Sequence, residues 1–203
     1  MTRVEIAYQE KGKWIGNLLI QSGIQKTSVH LFLRAFKKEQ ILEVWAKNKR
    51  EEHFKKILTY DFCAFSGDLG PKRMEGDLQI PEGIYHINRF NPLSKFHLSL
   101  GLNYPNASDK KLGHPTKVGS DIFIHGGCAS VGCIAISDDK IKELYILAEL
   151  AKQNGQTKIP CLIFPFPLTT KNIQVYAPTY PKQVAFWKSL QPMYKDFEIK
   201  LKQ

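Results

Sequence analysis

Residues Asp121 to Ile136 read DIFIHGGCASVGCIAI. A short apolar run ends on His125, and seven residues then separate it from Cys133. That link holds Gly126, Gly127 and Gly132 together with the small Ala129 and Ser130. Glycine tolerates backbone conformations closed to other residues, so such a link turns back on itself. The spacing predicts a buried strand over Asp121–His125, a tight loop, and an imidazole and a thiol meeting at its mouth. Downstream, Ser137 is placed to N-cap a helix whose first turn carries Asp138 and Asp139. Ile141, Leu144, Tyr145, Ala148 and Ala151 continue it at helical spacing, and Gly155 is its natural stop.

Upstream, Val29, Leu31, Leu33 and Ala35 alternate within Ser28–Phe36, as do Leu42, Val44 and Ala46 within Ile41–Lys47. Ile57–Phe65 follows a polar turn, which predicts an antiparallel N-terminal meander. Gly83–Phe90, Phe96–Asn103 and Ile159–Phe164 read as further strands. Ser66–Pro81 is a long Gly- and Pro-bearing loop of the kind that often carries function. Tyr104–Ser120 suits a flap beside a site. Trp14–Ser22 reads as a short helix, and Lys182–Leu190 as another that Pro192 limits or kinks. The predicted class is mostly β (α+β), a sandwich or barrel with a few flanking helices. Residues 1–27 form a helical appendage, 28–166 the main domain, and 167–203 a helical extension packed on it.

No apolar run approaches the roughly 20 residues that span a bilayer. The opening residues, MTRVEIAYQEKG, hold no apolar signal core. The net charge of +10, from 29 basic and 19 acidic residues, favours acidic partners. The lysines are scattered, however, and neither zinc-finger spacing nor an aromatic-basic RNA signature is present, so nucleic acid is not an expected partner. No two of Cys63, Cys128, Cys133 and Cys161 are spaced as CxxC, which argues against a thioredoxin-like site or zinc ribbon. A Cys63–Cys161 disulfide in an exported protein and two buried free thiols both fit. Cys128 is expected as a small residue packed under the loop, with a redox partner as the other reading.

A thiol beside a histidine is the minimum kit for nucleophilic acyl chemistry. His125 would take the proton of Cys133 and later return it to a leaving amine. The N–H groups of Val131, Gly132 and Cys133 are candidates for holding an oxyanion, each typically worth ~3 kcal/mol in a transition state. No Asp or Asn in the loop can orient the imidazole, so a backbone carbonyl such as that of Gly126 must do so. Two blander readings compete. His125 and Cys133 could be core residues near a turn, or His125, Cys128 and Cys133 could ligate zinc with a distant fourth ligand. Arg73 is a candidate for binding a substrate carboxylate. His97 and His114 lie in segments expected to border the site.

The stretch HGGCASVGC (125–133), with its flanks, resembles the active-site signature of the L,D-transpeptidase catalytic domain family, and more closely a compact branch with an HGGCASxGC motif. CAFSGDLGPKRMEGDLQIPEGIY (63–85) and FHLSLGLNYPN (96–106) resemble the same branch, so the likeness covers roughly 28–164. It implies a mostly β catalytic fold acting on peptidoglycan stem peptides with Cys133 as nucleophile, His125 as base and the Gly126 carbonyl orienting the ring. Ser130 and Gly132 match the serine and glycine before the family's cysteine. Val131 stands where many members carry a second histidine, and Ile134 and Ala135 where many carry Arg or Asn, which leaves the acceptor open.

The implied reaction is L,D-transpeptidation through a thioester on diaminopimelate-containing stems. Water as acceptor would give an L,D-carboxypeptidase, or an amidase releasing a wall-linked protein. A non-catalytic wall-binding module is the reading from another class. No cofactor is implied, nor any stable membrane insertion. The expected partners are stem peptides and a wall-anchored protein. The expected location is the periplasm or cell envelope, with a leader already removed.

Overall fold

The computed structural model describes residues 1–201. Helix α1 (Arg3–Gln21) starts well before the expected Trp14, because Thr2 and Glu5 form a reciprocal capping box at its N-terminus. Gly12, Gly16 and the polar run between Tyr8 and Lys13 hide its periodicity. Ala7, Ile15 and Leu19 nonetheless fall on one face and are buried in the main core. The first three strands, β1 (Val29–Phe36), β2 (Ile41–Asn48) and β3 (Lys55–Asp61), form the expected antiparallel meander.

The remaining strands are β4 (Gly83–Asn91), β5 (Ser99–Leu102), β6 (Phe123–His125), β7 (Ile134–Ala135) and β8 (Ile159–Phe164). All eight strands join one sheet in the order β3-β2-β1-β8-β4-β5-β6-β7. β8 inserts parallel to β1, and β7 parallel to β6, while the other pairs are antiparallel. Leaving β3 at one edge, the chain crosses to the other edge. There Cys63 N–H donates to the Ala135 carbonyl, and Ala64 bridges Ala135. The sheet therefore curls back toward itself as a half-barrel, the sheet-centred α+β architecture expected.

One face is covered by α3 (Asp138–Gln153), on which α1 packs. Ile141, Leu144, Tyr145, Ala148 and Ala151 of α3 are all buried. Ser137 takes the N-cap position at φ 74°, where its side chain makes no capping bond, so that detail of the expectation is corrected. Gly155 ends the helix at φ +90°. The opposite face, over β1 and β8, is covered by α5 (Val184–Leu201) with the short α4 (Thr170–Tyr176) beside it. α5 continues as helix past Pro192 instead of stopping there. Trp187 and Leu190 before the proline, and Tyr194 and Phe197 after it, are all buried, so tertiary packing outweighs the lost hydrogen bond. The polar Tyr104–Ser120 segment contains one further helix, α2 (Ala107–Leu112), capped by Asn106.

The long loop 66–82 hangs on an ion pair that is wholly buried. Lys37 Nζ lies 3.1 Å from Glu82 Oε1. Lys37 also donates to the carbonyls of Gly70 and Ile80, and Glu82 accepts from Gly70 N–H and from Trp187 Nε1 of α5 at 2.8 Å. Burial pushes the Lys37 ammonium below its ordinary range, and Glu82 opposes that.

Of the cysteine expectations, a buried free thiol holds for Cys161, while those of a Cys63–Cys161 bond and of Cys128 as a merely packed small residue are overturned. Cys63 bonds Cys128, with a Cα–Cα separation of 5.2 Å. Cys161 is a free, buried thiol in the middle of β8, registered between Leu33 and Tyr85. Cys63 has already left β3 for the far edge of the sheet, where Cys128 lies and Cys161 does not.

Candidate active site

The β6–β7 ladder fixes the two chemical groups. Ile124 pairs with Ile134 and His125 with Ala135, so one step back Phe123 stands beside Cys133. Ile124 and Ile134 point into the core, and their neighbours point to the opposite face by strand alternation. His125 and Cys133 accordingly line one cavity of about 260 Å³, together with Asn91, Ser99, Phe96 and Phe123.

The His125 ring is almost fully buried, and its Nδ1 lies 2.5 Å from the Gly126 carbonyl. A carbonyl only accepts, so Nδ1 carries the proton and Nε2 keeps its lone pair as a base. Phe96 stacks on the ring with centroids 4.5 Å apart, which explains an otherwise exposed phenylalanine. Gly126 admits no side chain: a Cβ there would sit 2.5 Å from Asp138 Oδ1 and 2.8 Å from the Phe96 carbonyl. That carboxylate oxygen accepts instead from Gly127 N–H at 2.7 Å, tying the loop to the start of α3.

The Cys133 sulfur accepts from Phe123 N–H at 3.4 Å and lies 3.8 Å from the Asp121 carbonyl. Burial raises the thiol above its ordinary value, partly countered by the Phe123 N–H and by the positive charge of Lys72. Burial likewise lowers His125, opposed by the Gly126 carbonyl. Both shifts favour the neutral form of the group. The arrangement suits proton transfer from thiol to Nε2 as the sulfur attacks, in place of a standing thiolate–imidazolium pair.

The loop before Cys133 is held from three sides. Ser130 Oγ donates to the Cys133 carbonyl at 2.7 Å and accepts from Cys133 N–H at 3.1 Å. Gly132 N–H donates to Ser66 Oγ at 2.7 Å. Gly132 has φ +84°, and a Cβ there would lie 3.0 Å from the Gln79 carbonyl, so the 66–82 loop packs directly on it. The disulfide supplies the third restraint. Of the three N–H groups expected to face an oxyanion, those of Gly132 and Cys133 are thus engaged by hydroxyls, and Ser130 braces the backbone of Cys133.

Other candidate residues lie elsewhere. Arg73 packs its guanidinium over Phe186 of α5, 4.7 Å from the ring centroid, and borders no part of the cavity. His114 accepts from Thr116 and Lys117 N–H groups within its own turn. His97, at φ +65°, follows Phe96 but turns away, and its Nε2 is buried without a partner. The zinc reading fails because Cys128 has no thiolate to give once bonded to Cys63. Sequence reasoning missed Phe96, Phe123 and Asp121 as walls of the cavity. Their signal is register across three strands, which no local pattern displays.

The family model for YkuD, the L,D-transpeptidase catalytic domain, matches residues 32–160. YafK of Escherichia coli strain K12, named as a candidate L,D-transpeptidase, is 32% identical over 170 residues, covering 83% of this chain and 66% of YafK. The chain thus spans slightly less than two thirds of that relative. Among solved structures, the helical cell shape determining protein Pgp2 from Campylobacter jejuni aligns with a TM-score of 0.51 at 23% identity, over 75% of this chain and 54% of Pgp2. That likeness is one of fold.

Proposed function

The chain belongs to the L,D-transpeptidase catalytic domain family, and from that premise we propose that it remodels peptidoglycan by acyl transfer through a thioester on Cys133. The observation that carries this reading is one cavity lined by a free thiol and by an imidazole whose tautomer leaves Nε2 basic.

In the proposed reaction Nε2 of His125 takes the thiol proton as Sγ attacks the carbonyl at the L-centre of diaminopimelate in a stem tetrapeptide. The bond to the terminal D-alanine breaks, and its amine leaves with the proton from His125. An amine acceptor then attacks the thioester and frees the thiol. For Gly132 or Cys133 to hold the oxyanion, its N–H must exchange a serine hydroxyl for the substrate oxygen. Such work belongs in the cell envelope, where the wall is. The Cys63–Cys128 disulfide supports that location, since such bonds persist in oxidising compartments.

Incubation of wild type and Cys133→Ala with a disaccharide tetrapeptide, read by intact-protein mass spectrometry, tests the reading. An acyl adduct on wild type alone is expected, with a cross-linked product when an amine acceptor is supplied. Tripeptide alone in the presence of acceptor would reassign the enzyme as a hydrolase. Binding by both proteins with no adduct on either would reduce it to a wall-binding module.

A further inference from the structure

Beside Cys133 the sheet carries a second constructed feature that the acyl chemistry does not use. In β4, Ile87 pairs with Leu102, but Arg89 pairs with Gly101, so one extra residue, Asn88, is inserted between them. A bulge of this kind turns the following residues over. Asn88 and Arg89 are both exposed in succession, and Phe90 is swung into the core against Tyr145. Without the insertion, alternation would have sent Arg89 inward and Phe90 out. The bulge therefore delivers a guanidinium to the face of the sheet that holds the nucleophile.

The neighbours are shaped to receive it. Gly101 pairs with Arg89 on one side and Phe123 on the other, and Phe123 stands beside Cys133. A Cβ at Gly101 would lie 2.9 Å from Arg89 Nε and 3.1 Å from the Phe123 ring, so the missing side chain is the passage across β5. Having crossed, the guanidinium lies over Phe123, 4.8 Å from its centroid, and pairs with Asp121 Oδ1 at 2.8 Å. Asp121 sits at φ +57°, a conformation few non-glycine residues adopt. Both side chains are about half exposed, so the pair adds little to stability, and the packing of Phe90 on Tyr145 accounts for the bulge but not for where it sends Arg89. Asp121 lines the Cys133 cavity and also an adjoining polar cleft of about 620 Å³, shared with Arg89, Asn88, Asn103, Asn106 and Ser120.

We propose that Arg89 and Asp121 form a specificity site for a zwitterionic α-amino-acid head carried on the substrate's side chain, Arg89 taking the carboxylate and Asp121 the ammonium. A diaminopimelate residue presents this head beyond the carbon whose carbonyl is attacked. This inference rests on the acyl-transfer reading above and adds to it how the stem is chosen. Ligand and protein pairs exchange partners, so no charge is left alone, and the planar guanidinium can grip the carboxylate through two bonds. A lysine side chain offers only the ammonium and leaves Arg89 with nothing to bind.

The test compares two stem tetrapeptides that differ only in the third residue, diaminopimelate or lysine, by kcat/KM. Wild type is expected to prefer the diaminopimelate stem by about tenfold or more, the typical range for one charge-assisted contact. Arg89→Gln is expected to bring the ratio near one, Arg89→Lys to recover part of it, and Asp121→Asn to weaken both stems. Thermal melting of each variant checks that it is folded. Equal use of both stems by wild type, or an equal loss on both in folded Arg89→Gln, overturns the specificity site while the acyl-transfer reading stands. An absence of Cys133 adduct from either stem overturns both.

Discussion

Burial removes water from His125 and Cys133 together, and the two groups respond in opposite directions. The imidazole is lowered from its ordinary value near 6.5 and the thiol is raised from 9.0. In the proposed reaction a proton on His125 would abolish the base, so acylation requires pH above its lowered value. The rate of acylation is therefore expected to rise through a single limb centred below pH 6.5 and to stay level through neutrality, because the thiol loses no proton until well into the alkaline range. A pH profile of kcat/KM checks this, and a limb centred at pH 7 or above would count against a neutral His125 as base. That His125 and Cys133 would face one cavity was legible in the sequence. Imidazole, thiol and glycines sit within nine consecutive residues, 125–133, and the absence of a nearby acid already pointed to a carbonyl as the ring's anchor. Arg73, His97 and His114 do not line the cavity that holds His125 and Cys133. Segment proximity follows from chain order, but side-chain direction is set by turns that the sequence leaves unspecified.

Among the elements, those with a long clear period were legible and the short ones were not. β1 and β2 alternate over eight residues each, enough to show a period of two. β7 has two residues and exists only because β6 lies beside it, and the bulge in β4 shows itself only against its partner strand. The disulfide belongs to the same class. Cys63 and Cys128 are 65 residues apart, and what joins them is the crossing of the chain from β3 to the β7 edge. Closing a loop of that length restricts the unfolded chain, by up to about 4 kcal/mol in the chain-entropy account. Cys63→Ser is accordingly expected to lower the urea midpoint markedly, and reduction of wild type should lower it to a similar value. An unchanged midpoint in both would remove the bond from the stability of the fold. Since Cys128 lies in the loop between His125 and Cys133, the same variant should also loosen the approach of Cys133 to His125.

Across the whole molecule, the loop that ends on Cys133 is steadied by parts far from it in sequence. α5 holds Glu82 through Trp187, Glu82 holds Lys37 and Gly70, and the loop so fixed presents Ser66 and Gln79 to Gly132. The C-terminal helix therefore reaches the loop before Cys133 through one buried pair. Removing a single partner of such a pair leaves an uncompensated charge in the interior and typically costs about 3–5 kcal/mol. Lys37→Met is expected to destabilise by that order in urea unfolding. Lys37→Met combined with Glu82→Leu should recover much of it, because replacing both partners with apolar groups is far cheaper than orphaning one. The double variant separates stability from positioning. It keeps a filled core but loses the bonds to the Gly70 and Ile80 carbonyls that shape the loop. If the loop steadies Gly132, that protein will be folded yet slow to acylate. Wild-type acylation in a stably folded double variant would show instead that Ser130 and the disulfide suffice to hold Cys133.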